Sequence, residues 1–472
     1  MILSLLPILL LVGLLSCGVW LFGADASYGP NQISLVIATA AAALIGIVRG
    51  QPWDDIQQGL VEGVKIGLAP IMILLAVGAL IGSWIVAGTV PAMIYYGVAL
   101  LKPSIFFAAS ALICALASIS IGSSWTVAGT LGIGLMGIAH SYGLSPAVTA
   151  GAVISGAYFG DKLSPLSDTT NLAAAVTGVE LFDHIRHMLW TTLPAFLLAL
   201  VVFALIGADG ARAPQEIAQL RQSLDAQFTI GPHLLLPLLI MLVLVARRFP
   251  AYPAILLSTA IGGGFALVFQ TDTLSALAGI DHADSPAPVI QGLWVALFNG
   301  YVGTSADSAL NDLLSKGGMS SMLNTVWLII TALAFGGVLE RTGILQQILD
   351  AALARVKSTG DLILVTVGAG ITTNALAADQ FLAIALPGRV FSQAYDDRAL
   401  SRLNLSRTLE DSATLTSVLF PWNTCGAYMS ATLGVATMSY LPYAVFNIAC
   451  PVVAVIYGYS LIAQKPREAP AL

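Results

Sequence analysis

The sequence predicts an all-α integral membrane protein of about 10–12 transmembrane helices, arranged as two inverted-topology repeats with discontinuous or hairpin helices. Three observations predict it. The 472-residue chain is 57% hydrophobic and only 9% charged, with a mean hydropathy of +0.87. A soluble chain carries roughly 25% charged residues, so too few charges are present to cover a water-facing surface of this size, and most of that surface must meet lipid. Apolar segments of spanning length recur along the whole chain. Two further apolar stretches, 104–182 and 361–432, are broken by Gly, Pro, Ser, Thr and Asp.

Taken in order, full spans are expected at 2–22, 33–49, 66–87, 189–207, 231–247, 251–270, 322–340 and 440–463, each long enough to cross ~30 Å of hydrocarbon. The first could pass for a signal peptide, because Ala24-Asp25-Ala26 imitates a cleavage site. It lacks a basic leader and its apolar run is long, so it is read as a retained helix. The interruptions within 104–182 and 361–432 predict broken or re-entrant helices.

The chain looks duplicated. Gln58-Gly59-Leu60 matches Gln291-Gly292-Leu293, Gly82 and Gly88 match Gly337 and Gly343, and Pro165 to Thr169 matches Pro421 to Cys425. The expected division is a first repeat over 1–207, an external linker over 208–230, a second repeat over 231–465 and a cytoplasmic tail over 466–472. Charge gives the relative orientation. Asp25 follows the first span where Arg247-Arg248 stand in the second repeat; Arg49 follows the second span where Asp272, Asp281 and Asp284 stand in its counterpart. Inverted repeats require such a reversal, and the positive-inside rule then makes both termini cytoplasmic, with Lys465 and Arg467 inside.

Net charge is −6 and no basic run suits nucleic acid. Cys17, Cys114, Cys425 and Cys450 lie far apart, without metal or redox spacing. No resident cofactor is expected.

Ionisable groups inside a bilayer are costly and usually functional. Between Gly156 and Asn171, Asp161, Ser164, Ser167, Asp168, Thr169, Thr170 and Asn171 crowd around Pro165. Carboxylate, hydroxyl and amide oxygens suit a hard cation such as sodium, and Pro and Gly free backbone carbonyls to join them; a solvated loop with a helix cap is the plainer alternative. In Thr372 to Gln380, Asp379 has no neighbouring base, so a buried charge there needs a cation or a proton; the alternative is an Asp bonded to hydroxyls as structural glue. The third region holds Arg407, Glu410, Asp411 and Ser412, followed by Asn423 and Thr424. Arg407 and Glu410 are spaced to pair on a helix face, and a plain helix start explains Glu410 and Asp411 equally well. Ser118, Ser120, Ser123, Ser124 and Thr126, around Gly122, are either ligands or packing residues. His140, His184, His187, His233 and His282 read as peripheral.

These motifs resemble those of the NhaC family of sodium/proton antiporters, which includes sodium-coupled malate/lactate exchangers. The likeness rests on 156–170, on Thr373-Asn374-Ala375 with Asp379-Gln380, and on 406–411 with 421–426. The resemblance implies a multi-pass antiporter of the bacterial inner membrane. It implies ion-binding roles for Asp161, Ser167, Asp168, Thr169, Thr170, Asn171, Asn374, Asp379, Asn423 and Thr424, with Na+ expected at Asp168 and Asp379. The expected activity is exchange of Na+ for H+ by alternating access, one intramembrane carboxylate holding either ion but not both.

Exchange of a small carboxylate or amino acid coupled to Na+ or H+ is the second reading, with Lys162, Arg389 and Arg407 the only bases near the site. A homodimer is compatible with the sequence but not fixed by it. An intramembrane aspartyl protease is a distant third: Tyr395-Asp396 lies among Asp397, Arg398 and Arg402, as a loop would, and the protein is not expected to be an enzyme.

Overall fold

The computed structural model describes residues 2–23, 26, 28–207, 212, 214–279, 286–303, 311, 314–460, 462, 464 and 466. Asp25, Asp281, His282, Asp284, Lys465 and Arg467, on which parts of the reading above rest, lie outside these. The described residues form helices, with no sheet beyond a single Leu400–Pro466 bridge. Eight helices are long and apolar enough to cross a membrane, or up to ten if two bent pairs each count as one span. The all-α membrane class is therefore borne out.

Helices α1 (Ile2–Phe22) and α2 (Pro30–Val48) precede an amphipathic α3 (Trp53–Ile66), which continues through a kink at Gly67 into α4 (Leu68–Val86) and then α5 (Thr89–Leu100). Asp54 and Asp55 in the first turn of α3 and Lys65 in its last suit the helix dipole. The broken stretch 104–182 resolves into α6 (Phe106–Ile121), α7 (124–142, with a π-turn at Ala128–Gly132), α8 (Pro146–Leu163) and α9 (Asp168–Thr177). Next come α10 (Leu181–Ile206), the polar α11 (Pro214–Gln227), α12 (Leu236–Ala246), α13 (Ala251–Phe269) and α14 (Ala287–Asn299). The chain then runs through α15 (Leu323–Arg341), α16 (Ile344–Leu353), α17 (Thr359–Ala377), α18 (Gln380–Asp396), α19 (402–419, with a π-turn at Glu410–Thr414), α20 (Thr424–Leu433) and α21 (Val445–Ser460). The expected span at 440–463 is bent by 57° ahead of α21. The expected linker 208–230 contains α11, set at 90° to the helix that follows; Arg221 lies over the Tyr95 ring at 4.1 Å.

One series of elements occurs twice. In α4 to α10 and again in α15 to α21, a long helix turns at a left-handed glycine (Gly88, Gly343) into a shorter one. A broken hairpin follows (α6/α7, α17/α18), then a second broken helix (α8/α9, α19/α20) ending in a left-handed glycine (Gly178, Gly434). Packing is reciprocal as well. α2 and α3 lie on α15, whereas α13 and α14 lie on α4. Close approach at the crossings explains the small residues. A Cβ at Gly63 or Gly337 would strike backbone of the opposite helix, and one at Gly82 would strike the Ala296 carbonyl. At the first crossing Gly59 of one Gln-Gly-Leu meets the Gly337 backbone, whereas Gly292 of the other abuts the Leu274 backbone.

Candidate functional site

Four helix breaks meet inside the molecule in two pairs. Each break restarts with a side-chain N-cap, which satisfies an orphan N–H of the new helix. Ser123 Oγ accepts from Thr126 N–H at 3.2 Å and Ser167 Oγ from Thr170 N–H at 3.4 Å. Asp379 Oδ1 accepts from Leu382 N–H at 2.9 Å and Asn423 Oδ1 from Cys425 N–H at 3.0 Å. Gly122, at φ 73°, and Ala378, at φ 57°, make the left-handed turns that reverse the two hairpins. Only at Gly122 does the residue type fit that conformation without strain.

In the first pair, the α6/α7 break faces the α8/α9 break. Asp161, near the end of α8 and 8% exposed, accepts from Ser124 N–H at 2.9 Å, so its carboxylate sits on the N-terminus of α7. Ser167 and Thr169 hydroxyls lie 3.1 Å apart. Thr170 Oγ1 donates to the Lys162 carbonyl at 3.1 Å, and the Asn171 amide donates to the carbonyls of Pro165 and Ser167 at 3.0 and 2.8 Å. Ser167, Thr169 and Thr170 are buried, while Asp168 and Asn171 are exposed.

In the second pair, Thr424 N–H donates to the Ala378 carbonyl at 2.9 Å. Asp379, 1% exposed, caps α18. Asn374 donates to the Ala413 carbonyl at 2.6 Å and to Thr416 Oγ1 at 3.1 Å. Asn423 donates to the carbonyl and the side chain of Asn374 at 3.1 and 3.2 Å. Thr424 is buried beside it. Ser417 Oγ reaches Gln380, next to Asp379, at 3.5 Å. A Trp125–Tyr428 stack, with centroids 4.0 Å apart, bridges the two pairs.

Each pair contains one carboxyl and one hydroxyl at corresponding places, in swapped order. The N-cap of the hairpin's second helix is Ser123 in one pair and Asp379 in the other. The corresponding positions on the neighbouring broken helices are Asp161 and Ser417.

A third buried cluster joins α8, α10, α19 and α21. The Lys162 ammonium pairs with Asp411, which also accepts from Thr191 at 2.9 Å and Cys450 at 3.2 Å. Arg407 Nε lies 4.0 Å from Asp411. Lys162, Arg407, Glu410 and Asp411 are all fully buried. Three expectations are corrected here. Glu410 and Asp411 occupy a π-turn in mid-helix and are no helix start. The acid within ion-pair distance of Arg407 is Asp411. His184 and His187 are buried, His187 against Asn404 at 3.0 Å, because α10 crosses the core here. Lys162 sits within a recognised motif, but its partner is 249 residues away.

Lys162 and Arg407 both lie within ion-pair distance of Asp411, whereas Glu410, fully buried beside them, has no ion-paired base among the described residues. Asp161 and Asp379, at the helix breaks, are likewise buried acids with no ion-paired base among the described residues. Unpaired charge is expensive to bury; the helix N-terminal N–H that each carboxylate accepts offsets part of that cost, and a proton or a metal cation would offset more. Oxygen-rich surroundings with freed helix ends suit a small hard cation. Among the described residues no three His, Cys, Asp or Glu side chains converge as a transition-metal site would need. Asp396, of the Tyr395-Asp396 pair, is held by Arg402 at 2.7 Å.

The profile of the Na+/H+ antiporter family matches residues 156–461. Among curated relatives, the Na+/H+ antiporter NhaC of Alkalihalophilus pseudofirmus is 37% identical over 91% of this chain and 90% of its own. The malate-2H+/Na+-lactate antiporter of Bacillus subtilis is 36% identical over 91% and 89%. The arginine/ornithine antiporter ArcD of Halobacterium salinarum is 35% identical over 99% and 94%.

Proposed function

The chain belongs to the Na+/H+ antiporter family, and from that premise we propose that Na+ and H+ exchange by taking turns on Asp161 and Asp379. The observation that carries this reading is that both acids are buried at helix breaks with no basic partner. Each is most stable when neutralised, so a site that gains a sodium ion releases its proton, and the reverse. Mutual exclusion of the two ligands converts a sodium gradient into proton movement. Ser167, Thr169, Thr170, Asn171, Asn374, Asn423 and Thr424 complete or hold the two oxygen cages. Asp168, exposed at the start of α9, suits attraction of the incoming ion better than its final ligation.

The relatives are transporters, and the reading is a transporter of the bacterial plasma membrane with both termini cytoplasmic. Reciprocal packing of α2 and α3 on α15, and of α13 and α14 on α4, supports inverted repeats about a pseudo-two-fold axis, with alternating access between them. A second reading is favoured by the names of two relatives, which exchange organic acids and amino acids. In it a small organic solute joins the cations.

The test is a proteoliposome assay that follows internal pH on addition of sodium. The wild-type protein should acidify or alkalinise the lumen according to the sodium gradient. No sodium-dependent proton movement, with or without organic acids, removes the proposal.

A further inference from the structure

A cavity of about 340 Å³ opens between the 315–328 segment and α20. That volume falls within the usual range for small-molecule sites. Pro421, two residues before the Asn423 cap, lines it, as do Asn324, Thr325, Ser430 and Thr432. Lys316 is the only charged residue among the described residues lining it. Its ammonium makes no hydrogen bond or ion pair among the described residues, and it stands beside Gly434, the left-handed cap that ends α20.

The sign of this charge is informative. A vestibule serving only Na+ and H+ gains from acidic walls, and a lone ammonium raises the barrier to a cation. An anion gains from the same group. Amide and hydroxyl donors around one ammonium match a carboxylate flanked by a hydroxyl or amine. We propose that this cavity binds the carboxylate of a small organic acid, with Lys316 as its counter-charge, next to the second pair of helix breaks. The inference rests on the transport reading above but adds a ligand that the cation sites do not need. Bound there, the anion would neutralise Lys316 and lower the barrier to a sodium ion approaching Asp379, so that the two would be favoured together.

Counterflow of labelled L-malate and L-lactate in proteoliposomes tests this, with sodium-driven proton movement by the wild type measured separately without organic acid. The second measurement judges the cation reading alone. Wild-type protein should exchange at least one of the two labels. Lys316→Gln should reduce that exchange at least tenfold, Lys316→Arg should restore most of it, and Ser430→Phe, which fills the cavity, should block it. The exchanged acid should raise the melting temperature of the wild type and of Lys316→Arg in detergent but not that of Lys316→Gln, a difference that a helix-capping role for Lys316 would not produce. Absence of counterflow by the wild type for both labels overturns the proposal. So does equal counterflow by the wild type and Lys316→Gln, or, if that variant does not fold, unimpaired counterflow by Ser430→Phe.

Discussion

At the scale of single residues, charge separates function from structure. Replacing Asp379 by Asn should abolish sodium-dependent proton movement in everted vesicles, read by a pH-sensitive dye, and Asp161→Asn should do the same; normal exchange by either variant removes that acid from the mechanism. Lys162 acts differently. Lys162→Met leaves Asp411 buried without its main partner and should cost about 3–5 kcal/mol, seen as a lowered melting temperature in detergent. Lys162→Met combined with Asp411→Leu should recover part of that loss, since it removes the uncompensated carboxylate, but not all of it, because Arg407 loses the same acid. Asp379 was legible in the sequence because its polar segment has apolar sequence on both sides, and Asp161 because it opens a dense run of acids, hydroxyls and an amide. The Lys162–Asp411 pair was not, because i,i+3 and i,i+4 rules see only neighbours along a helix, and these partners lie on different helices. They also misassigned Arg407, whose two acids stand at adjacent positions.

At the scale of elements, the four breaks decide what the site can be. Pro165, Pro421 and the clustered hydroxyls announced two of them. The Ala378 break carried no such sign, since nothing in the identity of an alanine calls for a left-handed conformation; the neighbouring Asn374 and Asp379 pointed to the region without giving its geometry. Two substitutions should therefore diverge. Ala378→Gly relieves the strained φ and should raise stability by about 1 kcal/mol while exchange persists. Gly122→Val should lower both the melting temperature and exchange, because a side chain there meets a left-handed φ and the adjoining Leu166 at once. Equal tolerance at both positions would contradict the role given to the hairpin turns.

At the scale of the whole molecule, membrane class followed from composition, and short matches in a common order pointed to the twice-occurring series of elements, whereas the packing of each series on helices of the other was not legible. Sequence matches reveal which residues correspond, not which of them touch. Gly337→Val should lower the yield of folded protein and its melting temperature, and Gly368→Ala, where a Cβ meets nothing within 4 Å, should not. Reporters fused within 215–225 should lie outside the cell and those at 247–248 inside; the opposite result would reverse the proposed orientation. The interlocked crossings also bear on how the protein is made. A ribosome delivers α3 and α4 to the bilayer well before α14 and α15 exist, so the Gly63 and Gly82 faces must wait uncovered among lipids during synthesis. A gene split at the α11 segment should yield an N-terminal fragment that proteases clear when it is expressed alone and that persists when the C-terminal fragment is supplied.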